Sequence, residues 1–221
     1  MTRLHAGAQL DRAPGPKYLA ALDFAEIAPI GPTPKAKTLA RWRDGVPDDF
    51  TLSFVVPHEA RGSAQGPLRF DAEMEEAVDR AAEAADALGA RFAVLPTAGD
   101  VTTGQRDRDL LAAWVERWKT RAKAELVWHP TGLWDEESAP SFARRLGVIW
   151  GFDPLEVEAL PRLDVAYCRL RAIGTRKSFN ETLLLEVVER LLDGPEAWVA
   201  LESGKSFKEA QRLAALAAEE A

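Results

Sequence analysis

The chain has 221 residues, 47% of them hydrophobic and 29% charged, which supplies the core of one large domain and excludes collagen-like, disulfide-scaffold and disordered classes. With 35 acidic against 28 basic side chains, the formal net charge of -7 argues against broad electrostatic capture of nucleic acid or of an anionic membrane surface. Cys168 is the single cysteine, so no internal disulfide forms; with no apolar run of about 18 residues and no signal-type N-terminus, the chain reads as a cytoplasmic protein without a membrane span.

Short β-rich runs recur along the chain with amphipathic segments between them. They are Leu4–Ala8, Phe24–Ala28, Phe50–Val56, Arg91–Pro96, Glu125–Trp128, Val148–Phe152, Val165–Leu170 and Trp198–Leu201. After the second run, Thr33-Pro34 has the form of a capping oxygen before a proline at the first helical position. Met74, Ala77, Val78, Ala81, Ala85 and Leu88 then make one helical stripe, which Gly89 stops. Leu110, Leu111, Trp114, Val115 and Trp118 make another. Between the sixth and seventh runs only Pro154–Leu160 is left for a helix. Ser178 with Glu181, and Ser206 with Glu209, have the spacing of capping boxes.

A strand followed by a helix, about eight times over, implies parallel strands joined by right-handed crossovers. At this length the solution is an α/β fold, the (β/α)8 TIM-type barrel, with an irregular or missing helix between strands six and seven. The Pro/Gly-rich stretches are too short for interdomain linkers, so residues 1–221 form a single domain. An open doubly wound sheet is the alternative, but it lacks its Gly-rich first turn, which here reads Gly7-Ala8-Gln9-Leu10-Asp11.

In such a barrel the chemistry sits at the C-terminal ends of the strands, which nominates Glu26, His58, Thr97, His129, Arg169 and Glu202. His58, His129, Glu26 and Glu202 are metal-type ligands, yet their spacing is unspecific, and neither a metal nor another cofactor is expected. Gly174-Thr175-Arg176-Lys177 and Ser203-Gly204-Lys205-Ser206 follow strands seven and eight, where barrels often hold phosphate. Lys205-Ser206 is not a P-loop, since Val199 stands where its first glycine belongs. Cys168 has no histidine beside it and reads as a buried small hydrophobe. Of the seven tryptophans, Trp128 and Trp134, flanking His129, are the two that point to a pocket wall.

Several motifs, in this order, resemble the YecE-like family, domain of unknown function 72. They are Phe24-Ala-Glu-Ile, the helix ending in Trp42, Val46-Pro-Asp-Asp-Phe with the strand to Pro57, Leu95-Pro96, His129-Pro130 with Trp134, and Tyr167-Cys-Arg-Leu170. The resemblance implies a TIM-type barrel and, at family pocket positions, Glu26, His129, Tyr167 and Arg169. The family's Glu and Arg around its fifth-strand motif become Leu126 and Trp128, the His after its seventh strand becomes Arg171, and its third-strand Lys becomes Val55.

The reading that follows is a barrel binding a small anionic or phosphorylated ligand at its C-terminal face. Arg169, Tyr167, Lys205 and Glu202 are its expected ligand-binding residues, and His129 and Glu26 its expected acid/base residues. On this reading Arg169→Ala weakens binding without unfolding the protein. The rival is a non-catalytic scaffold that has lost the polar pocket, with a closed apolar mouth around Leu126, Val55 and Trp128. A phosphoesterase or nucleic-acid processing enzyme follows only from analogy of fold. The oligomeric state is open.

Overall fold

The computed structural model describes residues 3–134, 137–160, 163–172, 177–194 and 196–220, and each of the eight expected runs forms a strand. In chain order the strands are β1 (Leu4–Leu10), β2 (Phe24–Ile27), β3 (Thr51–Val55), β4 (Gly62–Ser63), β5 (Gly66–Pro67), β6 (Phe92–Thr97), β7 (Glu125–Pro130), β8 (Ile149–Phe152), β9 (Ala166–Arg171) and β10 (Ala197–Glu202). The two-residue pair β4 and β5 makes a separate antiparallel hairpin, and the other eight close into a barrel in the order β1-β10-β9-β8-β7-β6-β3-β2. Every barrel pairing is parallel. The outer layer is α1 (Pro16–Leu19), α2 (Ala36–Asp44), α3 (Ala72–Ala87), α4 (Gln105–Lys119), α5 (Ser138–Leu146), α6 (Glu181–Leu191) and α7 (Ser206–Glu219). No helix lies between β8 and β9 among the described residues, as the short Pro154–Leu160 segment implied.

Strand parity divides the residues between two cores. Phe92 on β6 meets Tyr167 on β9, with ring centroids 5.3 Å apart, and Trp198 on β10 at 5.6 Å. Those strands are not neighbours in the sheet, so these rings fill the barrel interior together with Phe24, Val94, Val127 and Ala200. Residues of the opposite parity, including Leu52, Leu95, Leu126, Trp128 and Cys168, join the larger core beneath the helices. His5 plugs the N-terminal end of the barrel. Its ring stacks on Trp198 at 3.8 Å, and its Nδ1 and Nε2 lie 2.7 and 3.3 Å from Asp23 and Glu196.

The two helical stripes pack as expected, with every residue of the first buried and Leu110 alone of the second only partly so. Asp71 caps α3, its carboxylate accepting from the Met74 N–H at 2.9 Å, and Gly89 follows the helix at φ +60°. The other start signals are corrected. The N-cap of α2 is Lys35, and Thr33 instead donates its hydroxyl to Glu59. The cap of α6 is Asn180, which accepts from Leu183 N–H at 2.9 Å. Ser206 opens α7 without capping it, because Glu209 turns away to the loops before it.

Candidate functional site

One layer above the aromatic floor, the interior positions become polar. Glu26 stands two residues beyond Phe24, His129 beyond Val127, Arg169 beyond Tyr167 and Glu202 beyond Ala200, so strand parity aims all four into the barrel mouth. Arg169 donates from Nη2 to Glu26 Oε1 at 2.8 Å and from Nε to Oε2 at 3.0 Å. Glu26 also accepts from Tyr167 Oη at 2.9 Å and from Gln9 Nε2 at 2.9 Å. Burial opposes the charge of Arg169, and the adjoining Glu26 carboxylate outweighs it, holding that guanidinium above its ordinary pKa.

The pattern continues around the sheet. Register pairs Glu202 with Arg171, whose Nε donates to Glu202 Oε2 at 2.5 Å, while Arg169 Nη2 lies 3.9 Å from the same oxygen. Glu26, Arg169, Glu202 and Arg171 therefore form a ladder of alternating charge. Arg169 and Arg171 each keep Nη1 free of protein hydrogen bonds among the described residues, and both line a cavity of about 400 Å³. Its other walls include His129, Trp134, Phe152, Asp153 and Glu156. From the segment after β8, Asp153, Glu156 and Val157 wall this cavity. Gly151 keeps room beside His129: a Cβ there would come within 2.8 Å of Val127 and 3.2 Å of the His129 Cβ.

His129 is buried in the cavity wall, and its Nδ1 has no hydrogen-bond partner among the described residues. Burial first, then the charges of Arg169 and Arg171, press its pKa from 6.5 down to about 3, so the ring is neutral near pH 7. A second cleft of about 720 Å³ opens beyond β3 and β6, lined by His58, Arg61, the β4–β5 hairpin, Thr97 and Asp100. Arg61 is the residue that sequence reasoning missed. Its Nε is shielded from solvent without a partner; burial first, then the charges of Arg169 and Arg171, oppose its own, and Glu59 offsets part of that. Gly132, on the wall of the first cavity, packs directly on Gly99: a Cβ on it would stand 2.5 Å from the Gly99 Cα.

The structure redistributes the other expected site residues. Tyr167 is fully buried beneath Glu26, bonded to Ser53 at 2.7 Å, and lies under the site rather than in it. Glu26 has its carboxylate filled by Arg169, Tyr167 and Gln9, so it orients Arg169 and has no lone pair free for acid/base work. Lys205 is exposed on the loop after β10. Residues 173–176 of the other cationic loop lie outside the described residues. Where an anion was expected between these loops, the protein's own Glu209 carboxylate accepts from Phe179 N–H at 2.8 Å and from the Ser203 hydroxyl. His58 lies in the second cleft away from Glu26 and Glu202, and no group of three or more His, Cys, Asp or Glu among the described residues could hold a metal ion. Leu126 and Trp128 do not close the mouth: both face the helices, where Trp128 meets Trp134 and Phe142. Of the two tryptophans expected at a pocket wall, Trp134 lines the cavity and Trp128 does not. Burial pushes the Cys168 thiol well above its ordinary range, in keeping with an inert position.

No protein-family model and no curated protein matches the chain. Among solved structures, a DUF72 family protein from Enterococcus faecalis V583 superposes with a TM-score of 0.71 at 14% identity, covering 99% of this chain and 94% of that one. The fold is the one DUF72 family structures have. Another of them, from Thermotoga maritima MSB8, gives a TM-score of 0.67 at 15% identity, covering 99% of both chains. SacUVDE gives 0.66 at 11% identity, over 100% of this chain and 99% of its own. At these identities the likeness is one of fold. No helix among the described residues is long and apolar enough to cross a membrane.

Proposed function

We propose that the chain is a divergent member of the YecE-like DUF72 group and binds a small anionic ligand at the C-terminal face of its barrel. The observation that carries this reading is the meeting of Arg169 and Arg171 with His129 in one cavity, each arginine held from behind by its own carboxylate and with Nη1 left free. Glu26 and Glu202 act as positioning residues: they orient the guanidinium planes and offset part of their charge, which makes burying two arginines side by side tolerable. His129, neutral on the cavity wall, supplies a short-range hydrogen bond to the ligand. Glu156 at the rim suits a hydroxyl or ammonium donor on the ligand's outer part. The motif order of the sequence and the near-full-length likeness to two DUF72 structures support the family part of the proposal. The scaffold reading loses two of its three supports, because Leu126 and Trp128 lie outside the mouth, while Val55 does pack on the interior cluster.

Anion binding to the folded state raises the melting temperature by mass action. A thermal-shift series with phosphorylated metabolites, sugars and carboxylates, run on the wild type and on Arg171→Ala, tests the reading. A shift in the wild type that the variant loses is expected; equal shifts in both proteins contradict the assignment. Arg171 is the better probe than Arg169, whose removal strands the Glu26 carboxylate in the barrel interior.

A further inference from the structure

The cleft of about 720 Å³ beyond β3 and β6 shares no lining residue with the cavity of Arg169 and Arg171. Three segments wall it: the stretch from His58 into the β4–β5 hairpin, the first turns of α3, and the loop after β6. Each is anchored to the body of the protein. Trp114 Nε1 donates to Ala60 O at 2.7 Å, Trp134 Nε1 donates to Val101 O at 2.9 Å, and Asp71 caps α3. The walls are therefore held before any ligand arrives.

Arg61 lines this cleft with its backbone tied on both sides: its N–H donates to His58 O at 3.0 Å, and Leu68 N–H donates to its carbonyl at 3.0 Å. Its guanidinium has no hydrogen bond or ion pair among the described residues, although its Nε is cut off from solvent. A shielded guanidinium N–H without an acceptor is costly and uncommon. Three carboxylates of the cleft are committed elsewhere, since Glu59 accepts from the Thr33 hydroxyl, Asp71 from Met74 N–H, and Glu76 lies 3.5 Å from Arg80. Glu73 and Asp100 are exposed and make no hydrogen bond or ion pair among the described residues.

The chemistry of a fitting ligand follows from that inventory. Its negative part meets one uncommitted guanidinium, and a planar carboxylate matches the arginine fork. The wall as a whole carries five carboxylates against two guanidiniums, so a phosphate dianion or a polyanion meets like charge there. A carboxylate that brings its own ammonium group does not, because Glu73 and Asp100 are free to receive it. We infer that this cleft is a second binding site of the protein, for a small zwitterion of the amino-acid class, with its carboxylate on Arg61 and its ammonium on Glu73 and Asp100. The inference stands apart from the anion-binding reading above, since it uses none of the residues of that cavity.

Titration calorimetry with glycine, γ-aminobutyrate and ε-aminocaproate, which place the two charges at increasing separations, tests it against butyrate and butylamine. At least one zwitterion is expected to bind the wild type at least about tenfold more tightly than either singly charged control, as one further charge-assisted hydrogen bond gives. Arg61→Gln should lose about that factor at an unchanged melting temperature, and Arg61→Lys should regain part of it. The double variant Glu73→Gln with Asp100→Asn should bind the zwitterion no better than butyrate. Arg171→Gln should leave zwitterion affinity unchanged. Butyrate binding as tightly as every zwitterion, zwitterion affinity kept in Arg61→Gln but lost in Arg171→Gln, or no binding of any zwitterion to the wild type overturns the inference.

Discussion

Glu26 and Arg169 face each other across the barrel interior at 2.8 Å, the former on β2 and the latter on β9, with side chains 1% and 3% exposed. Glu26 lines no cavity, and Arg169 reaches one only through its outer edge. Removing one partner leaves the other ionised in a closed space, at a cost of roughly 3–5 kcal/mol. Glu26→Ala and Arg169→Ala are each expected to lower unfolding stability by about that much in urea denaturation. The double variant should be less destabilised than the sum of the two, because neither charge is then stranded. Additive losses would show that the pair is not coupled.

His129 gives stability a pH dependence. Its pKa falls from 6.5 in the unfolded chain to about 3 in the folded protein, through burial and the two arginines. Between those values the unfolded chain binds a proton that the folded protein refuses, so stability is lost as pH falls through this window. About 2 kcal/mol should disappear between pH 7 and pH 5, on 1.36 kcal/mol per pH unit below the unfolded pKa. Denaturation of His129→Asn should lack that part of the slope, and a slope identical to the wild type's would place the titration elsewhere.

Glu209 pins the loops that follow β9 and β10 through Phe179 N–H and Ser203. Glu209→Ala leaves a buried backbone N–H unsatisfied and should destabilise by about 1–3 kcal/mol. Because the residue sits outside the cavity, phosphate affinity of the folded variant is expected to stay within about twofold of wild type, a difference worth only a few tenths of a kcal/mol. Loss of affinity comparable with that of Arg171→Ala would move the anion site to the α7 terminus.

Gly132 combines φ +86° with a contact on Gly99 that leaves no room for a side chain. Gly132→Ala should cost about 1–3 kcal/mol from backbone strain, with steric displacement added. It should also weaken phosphate binding, since Gly132 lines the cavity of Arg169 and Arg171. A variant with wild-type melting temperature and affinity would mean that the loops separate freely.

The barrel was legible because its signals are local: eight apolar runs, two helical stripes, and too little chain for a helix after the sixth strand. The caps were less so, since Asn180 and Ser178 both offer a capping oxygen and only tertiary packing chooses between them. The site was partly legible. Once His129 is placed inward, parity sends Trp128 and Leu126 outward, and the same rule places Arg171 on the face of Arg169. Arg61 carried no such signal. It lies beyond a strand end, in a hairpin of two-residue strands whose position depends on long-range packing, and its lack of a partner exists only in the folded chain.

The most direct test of the anion site is NMR observation of the Arg169 and Arg171 Nε–H groups and the His129 ring during titration with inorganic phosphate. A bound anion offsets the fields of Arg169 and Arg171, so the Nε signals of these two arginines should shift together, and the His129 pKa should rise from its depressed value toward the ordinary range. Shifts confined to surface groups, with the His129 titration unmoved at saturating phosphate, would contradict an anion site in the barrel mouth.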